Sequence, residues 1–151
     1  MGLLFLHLWA FLFIIPGLFM VLYSIRNGVK GHASRSWQPT QCTIRRSYVQ
    51  VTTDDHNRKS MMPTVEYEYQ FNGETLKGSQ IRYGTIGRAS RSGCEKILRP
   101  YAEGATVQLY VNPEDPTDST LEPGMSWGNI FSAVAGAVFI ASGYALLQVK
   151  K

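Results

Sequence analysis

The sequence predicts an α+β fold: a small, mostly antiparallel β-sheet domain with one short helix, inserted between two transmembrane helices. Three observations carry this expectation. Apolar stretches free of Asp, Glu, Lys and Arg occupy both ends of the 151-residue chain, Leu3 to Ile25 and Trp127 to Val149; the residues between them alternate apolar and polar in several runs; and an Asn-Gly pair closes the clearest of those runs. The chain divides accordingly into a first span over residues 3–25, a basic juxtamembrane linker over 26–36, a β-rich soluble domain over 37–124 and a second span over 126–149.

Each apolar stretch is about 23 residues long and, at roughly 1.5 Å per residue, reaches on the order of 34 Å, enough to cross a hydrocarbon core of about 30 Å with some tilt. The first stretch lacks the basic n-region and the small-residue cleavage site of a signal peptide, so a retained helix is expected. His7 is placed near the headgroup level, and Pro16 before Gly17 predicts a kink. In the second stretch Ala133, Ala137, Ala141 and Ala145 recur at i, i+4, with Ser132, Gly136 and Gly143 beside them. Such a helix-packing stripe lets a second backbone approach closely, either the first span or a second copy of the chain in a homodimer. Tyr23, Trp127 and Tyr144 sit at span ends, as an aromatic belt requires.

Within the middle domain Cys42 and Ile44, then Val49 and Val51, predict a first strand interrupted near Arg45 and Arg46, followed by a polar loop over residues 52–60. Val65, Tyr67, Tyr69 and Phe71 alternate with Glu66, Glu68 and Gln70, and Asn72-Gly73 turns this strand into a partner over residues 75–83. From Ile86 to Tyr101 the period shifts towards 3.6, with Ile86, Ala89, Gly93 or Cys94, Ile97 and Leu98 on one face and Pro100 as the stop, which predicts the short helix. Alternation resumes over residues 105–111, and a final short strand over 119–121 leads to the second span.

The stretch Trp37-Gln38-Pro39-Thr40-Gln41-Cys42-Thr43-Ile44, the run Val65 to Gly73, and above all Tyr110-Val111-Asn112-Pro113-Glu114-Asp115-Pro116 followed by Ser119, Leu121, Glu122 and Pro123-Gly124 resemble the DUF3592 family of bacterial membrane proteins over residues 37–124. The resemblance implies a membrane-anchored β-rich domain in the bacterial cytoplasmic membrane whose role is uncharacterised, and it supplies no catalytic or binding residue.

Between the spans, residues 26–125 hold 13 Lys and Arg against 11 Asp and Glu, a net +2, and Lys150 with Lys151 complete the net charge of +4. A balance this even argues against a nucleic-acid partner. Arg26, Lys30 and Arg35 form a basic collar after the first span, read either as a topology signal that leans the domain towards the cytoplasm or as an attractor of anionic lipid. Cys42 and Cys94 fit one disulfide if the domain is exported and two reduced thiols if it is not.

The remaining chemistry is sparse. His7, His32 and His56 are scattered, so no base–nucleophile pair and no catalytic residue is expected. Asp54-Asp55-His56 reads as a solvated loop, and Glu114, Asp115 and Asp118 as turn formers; no metal or cofactor is expected. Tyr48, Tyr83, Tyr101 and Tyr110 suit either core packing or an exposed aromatic patch. The function expected is non-enzymatic: a membrane-anchored domain that binds a membrane or membrane-proximal protein or modulates a membrane complex. The alternatives are an immunity or stress protein that neutralises a toxin at the membrane, and a membrane enzyme with an unrecognised site.

Overall fold

A computed structural model describes residues 2–84 and 90–148, with side chains from residue 8 onward. Its elements run in the order α1 (Gly2–Ala33), a 3-10 turn (Ser34–Ser36), β1 (Gln38–Thr53), β2 (Lys59–Phe71), β3 (Glu74–Gly78), α2 (Arg91–Leu98), β4 (Thr106–Val111), β5 (Ser119–Thr120) and α3 (Trp127–Gln148). The five strands form one antiparallel sheet in the order β3-β2-β1-β4-β5, an α+β architecture. The helices α1 and α3 are each long and apolar enough to cross a membrane.

One face of the sheet is buried and the other wet. Cys42, Ile44, Val65, Tyr67, Tyr69, Leu109 and Val111 point inward and meet Tyr101 and Leu121, with Leu98 of α2 and Ile81 closing over them. The other face carries Glu66, Glu68 and Lys77, where Arg45 pairs with Glu68 at 2.7 Å and Lys77 reaches the same carboxylate at 3.4 Å. That alternation is what a single-layer antiparallel sheet with one covered face requires. The Arg45 hydrogen bond holds the Glu68 carboxyl below its ordinary range, and Lys77 adds to the effect.

β1 crosses both its neighbours and keeps its pattern by a bulge. Ile44 pairs with Tyr67 but Arg46 pairs with Glu66, so Arg45 is an extra residue between them. Without it, Arg46 would share the inward parity of Cys42 and Ile44; the bulge turns Arg46 out towards Glu66, 3.4 Å away, and gives the inward parity to Ser47, Val49 and Val51. The interruption expected near Arg45 and Arg46 is thus a change of face within one strand. β1 and β2 also pair out to Thr53 and Lys59, so most of the expected loop over residues 52–60 is a tight hairpin. Asp54 closes it by accepting from the Arg58 backbone N–H at 2.8 Å and the His56 N–H at 3.0 Å, with Asn57 at φ 58°.

Three other bounds move. β3 stops at Gly78 instead of running to Tyr83, because the chain leaves β2 there and segment 80–83 pairs instead with 121–126: Leu121 N–H bonds the Gln80 carbonyl at 3.1 Å and Ser126 N–H the Tyr83 carbonyl at 3.1 Å. Helix α2 starts later than expected because Ser90 caps it, its hydroxyl accepting from Gly93 N–H at 3.2 Å. Ile86 and Ala89, placed on that helix face, lie outside the described residues. The segment over 26–36 is no linker: α1 continues through it to Ala33, and the 3-10 turn finishes it. Its glycines have a packing reason, since a Cβ on Gly31 would lie 3.0 Å from the Gly124 carbonyl oxygen.

The two apolar helices pack along each other, but not on the expected stripe. The buried residues of α3 are Asn129, Ser132, Gly136 and Gly143, whereas Ala137, Ala141 and Ala145 are exposed and Ala133 is half-buried. Glycine wins because the backbones touch: a Cβ on Gly17 would lie 2.8 Å from the Gly136 oxygen, and one on Gly136 would lie 2.8 Å from the Gly17 oxygen. Alanine at those points would force the helices apart, so the alanines face outward. Beside this seam the rings of Phe13 and Phe139 meet at 5.9 Å.

Candidate functional site

The most constrained region of the molecule is the joint where the sheet domain meets the two apolar helices. Asn129, at the start of α3, donates through Nδ2 to the Ser24 carbonyl of α1 at 2.9 Å. Ser34 donates to the Gly31 carbonyl at 2.8 Å and accepts from Gly124 N–H at 2.9 Å, which ties the end of α1 to the approach to α3. Gly84, at φ +74°, passes so close to Asn129 that a Cβ would lie 2.5 Å from the asparagine Cβ; no other residue fits both the turn and the contact. Trp37 and Tyr83 stack edge to face at 5.8 Å beneath this joint.

A second clasp joins α1 to the β4–β5 loop. Lys30 Nζ lies 2.6 Å from Asp118 Oδ2, the hydroxyl of Tyr83 donates to Asp118 Oδ1, and the Lys30 ammonium sits 5.9 Å from the centre of the Tyr83 ring. The loop that presents Asp118 is itself built by the Asn-Pro-Glu-Asp-Pro run. Asn112 Oδ1 caps Glu114 N–H at 3.0 Å, Asp115 Oδ1 accepts from the Thr117 hydroxyl at 2.6 Å, and Tyr69 donates to the Pro116 carbonyl at 2.6 Å. The Thr117 hydroxyl holds the Asp115 carboxyl below its ordinary range. These residues are turn formers, and among the described residues no group of three or more His, Cys, Asp and Glu could hold a metal ion.

Buried phenols complete the framework. The Tyr67 hydroxyl lies 3.2 Å from the carbonyl oxygens of both Gln80 and Ser119, and Tyr101 donates to Glu122 at 2.8 Å, a carboxylate that also pairs with Arg82. Burial raises the pKa of Tyr67, Tyr83 and Tyr101, and for the last two a neighbouring carboxylate adds to it. They remain protonated donors at physiological pH. Of the four tyrosines considered for a surface patch, Tyr83 and Tyr101 are therefore core residues, while Tyr48 and Tyr110 are half-buried; they form no common patch.

Cys42 and Cys94 are both buried free thiols, Cys42 in the sheet core and Cys94 on α2. Burial pushes the Cys42 thiol from 9.0 up to about 11, which cuts its thiolate fraction at neutral pH about 100-fold. Below pH 9.0 the thiol is protonated in both folded and unfolded chains; between 9.0 and about 11 only the unfolded chain ionises, so stability falls as the pH rises through that window. Urea unfolding followed against pH is expected to show that fall, and Cys42→Val to flatten its first part; an unchanged profile would refute the assignment. Iodoacetamide is likewise expected to modify Cys42 only after unfolding.

Between α1 and the sheet edge these clasps leave one polar cleft of about 460 Å³. Tyr23, Arg26, Asn27 and Lys30 line its helix wall at i, i+3, i+4 and i+7, and Lys77, Ser79 and Gln80 line the sheet wall. The collar residues thus separate: Arg26 opens into the cleft, Lys30 is held by Asp118, and Arg35 lies exposed beside Gly124. Arg26 has no acidic partner among the described residues. The sequence missed Lys77 and Asp118 as members of this place, because nothing local marks two residues brought to a helix from the sheet edge and the β4–β5 loop.

Fold and joint together define a class: a small one-sided β-sheet domain clasped at entry and exit by a pair of long apolar helices. The chain belongs to the DUF3592 family, a domain of unknown function, whose family model matches residues 40–126. A search of curated proteins finds no match.

Proposed function

We propose that the chain is a two-span protein of a bacterial cytoplasmic membrane, and that its sheet domain acts without catalysis, as a docking platform for another membrane or membrane-proximal protein. The observation that carries this reading is the double clasp. Lys30 with Asp118 fixes the domain to α1, and Ser34 with Gly124 ties the end of α1 to the approach to α3, so the domain's wet face is presented at a set height and angle. The outward faces of the helices support the bilayer setting: Leu8, Phe11, Leu12, Ile15, Phe19 and Leu22 on α1 and Phe131, Val134 and Val138 on α3 are exposed apolar side chains, too contiguous for water.

A photo-crosslinking residue at Gln70 or Gln108, both exposed on the wet face, tests the platform in cells. One discrete protein adduct is expected. No adduct, together with turnover of a substrate by the purified chain, would refute the reading.

The flanking charges favour a cytoplasmic domain. Cysteine introduced by His56→Cys at the exposed hairpin tip is expected to react with an impermeant maleimide only after the cells are opened. The buried native thiols stay silent, so reaction in intact cells would place the domain outside.

A further inference from the structure

We infer that the cleft between α1 and the edge of the sheet binds the phosphate of an anionic phospholipid headgroup, with Arg26 and Lys77 as its charged ligands. The inference rests on the two-span reading and gives the platform a lipid-set position. Three observations lead to it. The first is charge. The cleft carries three cations, Arg26, Lys30 and Lys77, and one anion, Asp118. Lys30 and Asp118 neutralise each other at 2.6 Å, which leaves Arg26 and Lys77. Arg26 has no acidic partner among the described residues; Lys77 reaches Glu68 only at 3.4 Å, with its side chain 79% exposed, and Glu68 is engaged more closely by Arg45 at 2.7 Å. An exposed, shared pair of that kind is worth little and gives way to a phosphate.

The second observation is depth. Tyr23 lies in the last turn of the apolar run ending at Ile25 and Arg26 follows it directly, so the cleft opens where an aromatic belt residue marks the lipid–water boundary. A headgroup reaches that level without leaving the bilayer. The third is donor chemistry. The exposed Ser79 lines the same cleft, and a hydroxyl beside a guanidinium is a donor set a phosphodiester takes, while the Thr117 and Ser119 hydroxyls are already engaged, with Asp115 at 2.6 Å and with Tyr67 at 3.2 Å. Lys30 is not part of the ligand set. Its role is to hold the loop that carries Thr117 and Ser119.

The test uses the full chain, purified in an uncharged detergent, stripped of lipid and examined by native mass spectrometry with added phosphatidylglycerol or phosphatidylcholine. One phosphatidylglycerol is expected to be retained in preference to phosphatidylcholine. Arg26→Gln with Lys77→Gln is expected to weaken that retention about 25-fold, at about 5-fold per charge removed near a membrane surface. The control Lys59→Gln with Lys96→Gln removes the same charge away from the cleft and is expected to change it less than about 2-fold. Equal retention of the two lipids, or an equal loss in both double variants, would overturn the site. Displacement of the lipid by millimolar inorganic phosphate would overturn the headgroup as the source of the anion. Carbonate extraction of the membrane fraction separates the two readings: a chain released by carbonate fails the two-span reading itself, whereas one that stays in the membrane without lipid preference fails only the headgroup site.

Discussion

Gly136→Leu is expected to drive α1 and α3 apart and to destabilise the full chain by about 3 kcal/mol, the upper part of the range for overpacking, read as a fall in its unfolding midpoint in detergent. The cost is high because nothing near Gly136 can yield cheaply. A first side-chain carbon there would lie 2.8 Å from the Gly17 carbonyl oxygen, 3.0 Å from Val21 and 3.1 Å from Met20, so a helix backbone must move. Gly143 is held alike, its Cβ position 2.8 Å from the Ala10 oxygen. The matched experiment is Ala137→Leu, which adds bulk one residue along the same helix but on its exposed side. It is expected to change stability by no more than about 0.5 kcal/mol. Equal losses from the two variants would mean that the helices do not meet on the glycine seam.

That contrast also shows why the seam was hard to read from residue types. A stripe of four alanines at i, i+4 and a staggered set of Ser132, Gly136 and Gly143 lie on neighbouring strips of the same helix, and either permits close approach. Which strip faces α1 depends on Gly17, whose partner role is invisible until the two helices are side by side. Asn129 is similar. As a residue it reads only as a polar interruption near a span end, yet its amide reaches across to the Ser24 carbonyl and fixes the helices relative to each other.

In the sheet, by contrast, local pattern carried nearly all the information. Period two with the Asn-Gly turn located β2 and β3, because the pleat sends every second side chain to the same face. Even the break between Ile44 and Val49 was present as a change of parity, and the bulge at Arg45 supplies its physical reason. Misread segments were those in which a residue serves a distant partner. Gly28, Gly31 and Ser34 resemble linker composition but are contact points: Gly28 lies beside Asn129, and Gly31 and Ser34 lie against Gly124. Segment 80–83 reads as a continuation of β3 and instead pairs with 121–126, forty residues on in round terms. The cleft is the extreme case, assembled from a helix face, a sheet edge and a loop.

Asp118→Ala is expected to cost about 2 kcal/mol and to loosen the domain on its helices. Asp118 accepts from two donors at once, the Lys30 ammonium and the Tyr83 hydroxyl, and its side chain is only 15% exposed. Removing the carboxylate strands both donors. The Tyr83 hydroxyl, in a side chain almost fully buried, loses a bond it cannot replace, whereas Lys30, 36% exposed, recovers part of its hydration, which keeps the loss below the range for a fully buried pair. Asp118→Asn separates the two parts, since an amide oxygen still accepts from Tyr83 but no longer attracts the charge; it is expected to lose about half as much. Lys30→Met in a double-mutant cycle with Asp118→Ala then isolates the ion pair, with a coupling of about 1 kcal/mol expected. The structural readout is a spin-label distance between the hairpin tip at His56 and the exposed Trp127 position, sharp in the native chain and broadened in Asp118→Ala. A distribution that stays sharp while stability falls would mean that the Ser34–Gly124 tie holds the domain by itself, and that the Asn-Pro-Glu-Asp-Pro loop serves the sheet and not its attachment to the helices.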